Sequence, residues 1–351
     1  MNRYTEIATS NRPSGRTEYP YIDIVKLLMA VCVVAIHTHP LEHCSNLIIL
    51  SIYDTFTNCA VPFFFLSTGF LLGKRMGLTD DSAQKAEIVR RQLHKTLKLY
   101  LVFSVVYLPL AIAYYVLSQK TFLKATLLYI RGFFLIGEHY NSWMLWYLLS
   151  AAYALILILA LLKRDAPPVA FLATACVIYV LSCALSALAS YEAALPPPIS
   201  IFRLAIKYSI GNGRILRGGF YIPIGILLSD RPLSGKTAWG MFVPAFAVCC
   251  VLKGFANALF LGVCAVGFFS IIIDYSIKCG NRPKFAEYIY IYIYMRNVSV
   301  SIYFTHLYIW TICYTLLYGE TTYGFLIFAV TLFFTLIPSL IYASVKTRKL
   351  S

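Results

Sequence analysis

About ten apolar runs divide this sequence, and they constrain its fold more than any other feature. A helix needs roughly 20 mainly apolar residues to cross a bilayer, and most of the runs come close to that length. They lie at about residues 22–40, 57–73, 99–118, 143–162, 168–189, 216–229, 237–252, 255–275, 297–317 and 322–343. The sequence therefore predicts an all-α, polytopic membrane helix bundle with about ten transmembrane helices.

Composition supports this class and excludes others. Hydrophobic residues make up 60% of the chain and charged residues 13%, whereas a soluble domain is roughly 45–50% apolar and 25% charged. The net charge of +15 is compatible with nucleic-acid binding. However, the basic residues lie mainly in short segments between apolar runs, where they act as topology signals. We therefore expect membrane lipids around the chain and no nucleic-acid partner.

Lysine and arginine residues predict the orientation. The strongest basic cluster lies at residues 74–98. With the N-terminus inside, the inside loops and tails collect about twenty basic residues and the outside loops about eight. We expect a cytoplasmic N-terminal tail at 1–20, an integral membrane domain at 21–345 and a cytoplasmic C-terminal tail at 346–351.

The sixth run is the weakest span, because its length of about 14 residues falls short of a full crossing. Residues 201–210, which precede it, have the pattern of an amphipathic segment at the membrane interface, with Arg203 and Lys207 on the polar side.

Three ionisable residues interrupt the first run: Asp23, Lys26 and His37. On a helix, the eleven residues from Lys26 to His37 return to within roughly 20° of the same face and cover about 16 Å along the axis. Asp23, three residues before Lys26, joins that face. Each ionisable group in a bilayer costs roughly 3 kcal/mol or more unless it is paired or faces a wet interior. The stripe therefore predicts a polar site inside the bundle.

Five motifs in order resemble the membrane acyltransferase family 3. They are Lys26 with His37 in the first run, VPFFFLSTGFLLGKR at 61–75, WMLWYL at 143–148, NGRILRGGFYIPIG at 212–225 and SIYFTH at 301–306. The sequence departs from the family pattern at Lys26, where Arg is commoner, at Met144, where His is frequent, and at Arg214, one step later than usual. The motifs of the second and sixth runs, at 61–75 and 212–225, are also similar to the membrane domain of vancomycin-resistance serine racemases, which has this fold.

The resemblance implies an acyl-CoA-dependent O-acyltransferase of the bacterial plasma membrane. Its donor would be acetyl-CoA or another acyl-CoA, and its acceptor a hydroxyl of an extracytoplasmic or lipid-linked glycan. His37 would act as the base or as the acyl carrier, with Lys26 and Asp23 in the same catalytic group. Lys26, Lys74 and Arg75 are expected to hold the phosphates of coenzyme A.

Substrate-binding candidates come from the other motifs, and most have a structural alternative. Ser67 could bond only to carbonyls of its own helix. Trp146 could belong to an interfacial aromatic belt. Asn212 and Arg214 could clamp an acyl or acceptor oxygen, and His306 is a polar residue at depth.

The histidines show no metal-ligand spacing, so no metal is expected. The alternative function is a transporter-like membrane domain that passes a small solute such as L-serine and needs no acyl donor.

Overall fold

The computed structural model describes residues 19–191, 196–280, 289–316 and 323–348. Most of the predicted N-terminal tail, 1–18, and half of the predicted C-terminal tail, 349–351, lie outside these residues. Helices and their connections make up the described part of the chain, without a strand. The α-helices are α1 (Pro20–Thr38), α2 (Leu47–Asn58), α3 (Ala60–Met76), α4 (Ser82–Leu117), α5 (Phe122–Arg131), α6 (Leu145–Leu162), α7 (Pro168–Ala189), α8 (Pro197–Ser209), α9 (Gly218–Asp230), α10 (Gly235–Val251), α11 (Gly254–Gly280), α12 (Ile289–Leu316) and α13 (Phe325–Arg348).

Each predicted apolar run has a helix. Within the described residues, seven helical stretches are long and apolar enough to cross a membrane, with α2 and α3 counted as one stretch of 30 residues. α9 has 13 residues and α10 has 17, so both are short for a full span. α12 has 28 residues but includes polar positions such as Arg296 and His306. The chain is an all-α, polytopic membrane helix bundle.

The basic segment at 74–98, which separates the second and third apolar runs, is mostly helical. α4 begins at Ser82 after Asp81, whose side chain accepts a hydrogen bond from the Ala83 N–H at 2.9 Å. Its 36 residues extend for about 54 Å, well beyond the roughly 30 Å of a bilayer core. The basic first half of α4 therefore continues outside the apolar layer as helix.

The described residues form two compact units. The first comprises the described parts of Met1–Ala60, Leu233–Gly240 and Gly267–Ser351. Here α12 packs against both α1 and α13. α1 ends where His39 turns into the left-handed region at φ 45° and its N–H donates to the Ala35 carbonyl. The Gly324 N–H donates to the Thr38 carbonyl at 2.9 Å, so the start of α13 is joined to the end of α1.

The second unit comprises Val61–Pro232 and Met241–Val266. Within it, α6 packs against α4 and α9, and α9 also packs against α7. Two glycines allow α3 and α9 to approach closely. A Cβ atom at Gly69 would overlap the Ile222 carbonyl, and one at Gly225 would overlap the Leu66 carbonyl. Small residues serve this purpose in membranes, where helix association depends on close packing.

Candidate functional site

Asp23 lies at the centre of an ionic cluster in the first unit. Its side chain is buried, with 4% of the residue exposed. Lys26 Nζ lies 3.9 Å from Asp23 Oδ1, which confirms that the two residues share a face of α1. Arg296, on α12, brings Nε to 3.2 Å and Nη2 to 3.1 Å from Oδ2. One buried carboxylate therefore contacts two cations, and this pairing offsets the cost of burying its charge.

His37 and His306 form a second polar pair in the same unit. Their ring centroids lie 5.3 Å apart with the planes inclined by 31°. His306 is fully buried, and its Nδ1 lies 3.0 Å from the Ile302 carbonyl. Because a carbonyl only accepts, Nδ1 carries the proton, and Nε2 of the neutral ring has a lone pair. Among the described residues, this Nε2 has no hydrogen-bond partner.

The two polar groups lie at different depths along the same pair of helices. Asp23 precedes His37 by about 21 Å of helix, and Arg296 precedes His306 by about 15 Å. Since Asp23 meets Arg296 and His37 meets His306, α1 and α12 run in the same direction. The site therefore has an ionic end and an imidazole end.

The same geometry bears on the number of membrane crossings. α13 runs against α12, as the hydrogen bond from Tyr294 to the Leu340 carbonyl and the ring contact between Trp310 and Tyr323 show. It therefore also runs against α1. With an odd number of crossings, such as seven, the first and last helices would be parallel. Because α1 and α13 are antiparallel, the number of crossings must be even. Counting α12 gives eight, and adding α9 and α10 gives the ten predicted from the sequence.

Trp146, Arg214 and Asn212 come together in the second unit. The Arg214 guanidinium stands over the Trp146 ring at 5.2 Å and forms an ion pair with Glu138. Asn212 Oδ1 accepts a hydrogen bond from the Arg214 N–H at 3.2 Å, which shapes the turn before α9. Asn212 and Glu138 also line a cavity of about 770 Å³.

The remaining candidates of this unit lie on α3. Ser67 donates to the Phe63 carbonyl at 2.7 Å, which agrees with its structural reading. Lys74 lies over the Phe70 ring at 5.5 Å, while Arg75 is exposed. Both cations suit a phosphate group by charge. Lys26 suits it less well, because Asp23 already binds its ammonium group. Among the described residues, no three His, Cys, Asp or Glu side chains group as a metal site would require.

A family model described as an acyltransferase domain matches residues 19–343, nearly the whole chain. The chain belongs to acyltransferase family 3. The match agrees with the resemblance seen in the five motifs. No solved structure matches this family member.

One curated relative is an "Amino-acid racemase" from Enterococcus faecalis, with 32% identity over 142 residues. The match covers 40% of this acyltransferase-family chain and 19% of the relative. It is consistent with the subgroup suggested by the motifs of the second and sixth runs.

Two residues of the candidate site, Arg296 and Glu138, were not predicted from the sequence. Arg296 lies just before the predicted ninth run, at 297–317, whereas α12 begins eight residues earlier, at Ile289. An arginine in an apolar helix by itself indicates a functional site. Glu138 gave no comparable signal, because a carboxylate in a connecting segment is ordinary. Only its contact with Arg214 distinguishes it.

Proposed function

We propose that this protein transfers an acyl group, in the first instance acetyl, from cytoplasmic acyl-CoA to a hydroxyl of an extracytoplasmic or lipid-linked glycan in the bacterial plasma membrane. The observation that carries the proposal is the pair of His37 and His306 in a family of acyltransferases. Ionisable residues inside a membrane bundle are costly and usually have a function, and the His306 Nε2 lone pair can accept a hydrogen bond beside His37.

The chemistry needs one proton acceptor beside the acyl carbon. In direct transfer, His37 removes the proton of the acceptor hydroxyl, whose oxygen bonds to the acyl carbon while the C–S bond of the thioester breaks. The imidazolium then returns the proton to the departing thiolate of coenzyme A. In the alternative, a His37 nitrogen attacks the acyl carbon while the C–S bond breaks and coenzyme A leaves as the thiolate. The hydroxyl oxygen then bonds to the acyl carbon while the C–N bond breaks, and the hydroxyl proton passes through the released imidazole to the thiolate. In both routes, His306 Nε2 can accept a hydrogen bond from His37 or from the substrate.

Coenzyme A would be held by cations at the cytoplasmic end. Lys74 and Arg75 follow the last apolar turn of α3 and precede the basic half of α4. Their charges would attract the phosphates of coenzyme A. We expect Lys74→Gln with Arg75→Gln to raise KM for acetyl-CoA and to leave kcat nearly unchanged, because these groups act on binding alone.

The decisive experiment measures transfer from radiolabelled acetyl-CoA into the glycan fraction of membranes that contain the protein. His37→Ala should abolish transfer while the protein remains folded by size-exclusion chromatography. His43→Ala is the matched control, since His43 is an exposed histidine just beyond the end of α1. Transfer that persists in His37→Ala would remove the proposed mechanism.

A second candidate is the passage of a small amino acid such as L-serine. It is favoured by the printed name of the E. faecalis relative, an amino-acid racemase, and by the polar groups at two depths of α1. Vesicles that contain the purified protein would take up labelled serine without any acyl-CoA if this reading is right. Transfer of acetyl without serine uptake would exclude it.

A further inference from the structure

A cavity in the second unit is rich in cationic side chains. Its volume is about 770 Å³, within the roughly 300–1,000 Å³ usual for small-molecule sites. Residues from the end of α5, the turn after it, the end of α7, α8 and the turn before α9 line it. The polar members are Arg131, Glu138, Ser190, Tyr191, Arg203, Lys207 and Asn212.

The charge of the lining is positive. Arg131, Arg203 and Lys207 contribute three cations, and Glu138 is the carboxylate among the lining residues. Glu138 is already in an ion pair with Arg214, so its charge is largely offset by a fourth cation. Among the described residues, no salt bridge joins Arg131, Arg203 or Lys207 to a carboxylate. The described lining of the cavity therefore carries more positive than negative charge.

Two features of these cations destabilise the cavity. Arg203 and Lys207 stand four residues apart on α8, where like charges repel each other and destabilise a helix in isolation. Arg131 Nε is buried and has no hydrogen-bond partner among the described residues. A buried guanidinium nitrogen without a partner is costly. An anion that enters the cavity would relieve both of these costs.

We propose that this cavity binds an anionic group, phosphate or carboxylate, carried by the sugar acceptor. This proposal rests on the acyltransferase function proposed above and narrows its substrate class. The planar forks of Arg131 and Arg203 match the oxygens of such groups. Glu138 and Asn212 supply acceptor and donor atoms for sugar hydroxyls, which gives the cavity a carbohydrate-like complement beside its anion site.

The surroundings of α8 bear on where the anion comes from. Apolar side chains of this helix, including Ile201 and Phe202, are exposed. This arrangement is typical of a helix at the membrane interface, with Arg203 and Lys207 turned to the cavity. Both a sugar phosphate attached to a lipid carrier and a water-soluble charged sugar could reach a site at that depth.

The test is a binding measurement on the full-length protein in lipid nanodiscs, without any acyl donor. The probes are glucose 1-phosphate, glucuronate, glucose and a polyprenyl-phosphate-linked glucose. We expect at least one of the charged probes to bind at least tenfold more tightly than glucose, with an affinity that falls as the salt concentration increases. If the lipid-linked probe binds more tightly, the anion belongs to a lipid carrier. If glucose 1-phosphate or glucuronate binds more tightly, the anion belongs to a soluble sugar.

Variants show whether the proposed cations are responsible. Arg131→Gln and Lys207→Gln should each weaken the binding of charged probes about tenfold and leave the binding of glucose unchanged. Lys207 is exposed, so its substitution leaves the fold intact. Lys124→Gln is the matched control, because Lys124 is a cation of the same helix as Arg131 but does not line the cavity. Equal affinities for charged and uncharged probes, or an equal effect of Lys124→Gln, would overturn the proposal.

The outcome separates this inference from the proposed function. Charge-dependent binding in a protein that transfers no acetyl group would leave the anion site standing and remove the acyltransferase proposal. Acetyl transfer by a protein that binds charged and uncharged sugars equally would remove the anion site alone.

Discussion

Asp23 offers a quantitative test of the ionic end of the site. Asp23→Asn keeps the shape of the side chain and removes its charge. The Arg296 guanidinium then loses the carboxylate oxygen that lies 3.1 Å from Nη2, and the Lys26 ammonium loses the oxygen at 3.9 Å. Two cations on neighbouring helices would be left facing a neutral amide.

The magnitude follows from these distances. With an effective dielectric constant of 20, the direct attraction is about 5 kcal/mol for Arg296 and about 4 kcal/mol for Lys26. Desolvation of the three charges offsets much of this attraction. Removal of one member of a buried ionic group costs about 3–5 kcal/mol. The Arg296 side chain is 29% exposed, so we expect the lower end, a loss of about 3 kcal/mol in the free energy of unfolding.

The assay is equilibrium unfolding in mixed detergent micelles, followed by circular dichroism. A double-mutant cycle with Arg296→Gln should show that the two changes together cost at least ~1 kcal/mol less than their sum, because each removes the same contact. Glu87→Gln is the matched control. It breaks the exposed pair with Arg91, where the Nε to Oε1 distance is 2.9 Å, and should leave the unfolding curve unchanged. An Asp23→Asn protein as stable as the wild type, or strictly additive losses, would refute this reasoning.

Three further changes test other parts of the structure. His306→Asn removes the imidazole lone pair and should lower acetyl transfer about 100-fold without loss of folded protein; unchanged transfer would exclude a role for this ring. Gly69→Ala places a Cβ against the Ile222 carbonyl and should cost about 1–3 kcal/mol of stability in the same unfolding assay. Gly240→Ala, where nothing lies within 4 Å, should be neutral, and equal effects of the two would contradict the packing argument. Burial, with a contribution from Arg131, lowers the pKa of His139 to about 4. The unfolded chain, in which the pKa is about 6.5, therefore binds a proton that the folded protein does not. Stability should fall as pH decreases from about 6.5 to 4, and His139→Phe, which retains the stack on Tyr129, should flatten that dependence.

Features that depend on local spacing could be predicted from the sequence. The apolar runs could be read as helices because each is continuous along the chain. The Asp23–Lys26 pair could be read because three residues of helix place both side chains on one face. Ser67 is a similar case, since a hydroxyl in a helix can always reach a carbonyl one turn back. The family resemblance further singled out His306 and Arg214, although it named no partner for either.

The contacts between distant segments required the tertiary structure. Arg296 is 273 residues from Asp23, and Glu138 is 76 residues from Arg214; no periodicity relates such positions. Helices in lipid associate through close packing rather than through a hydrophobic drive, so the sequence of one helix says little about its neighbour. The cations of the cavity come from separate elements for the same reason. The sequence by itself determined that polar groups lie inside an apolar bundle. Only the packing of α12 against α1 decided that Asp23 has a second cation and that His37 has a second imidazole beside it.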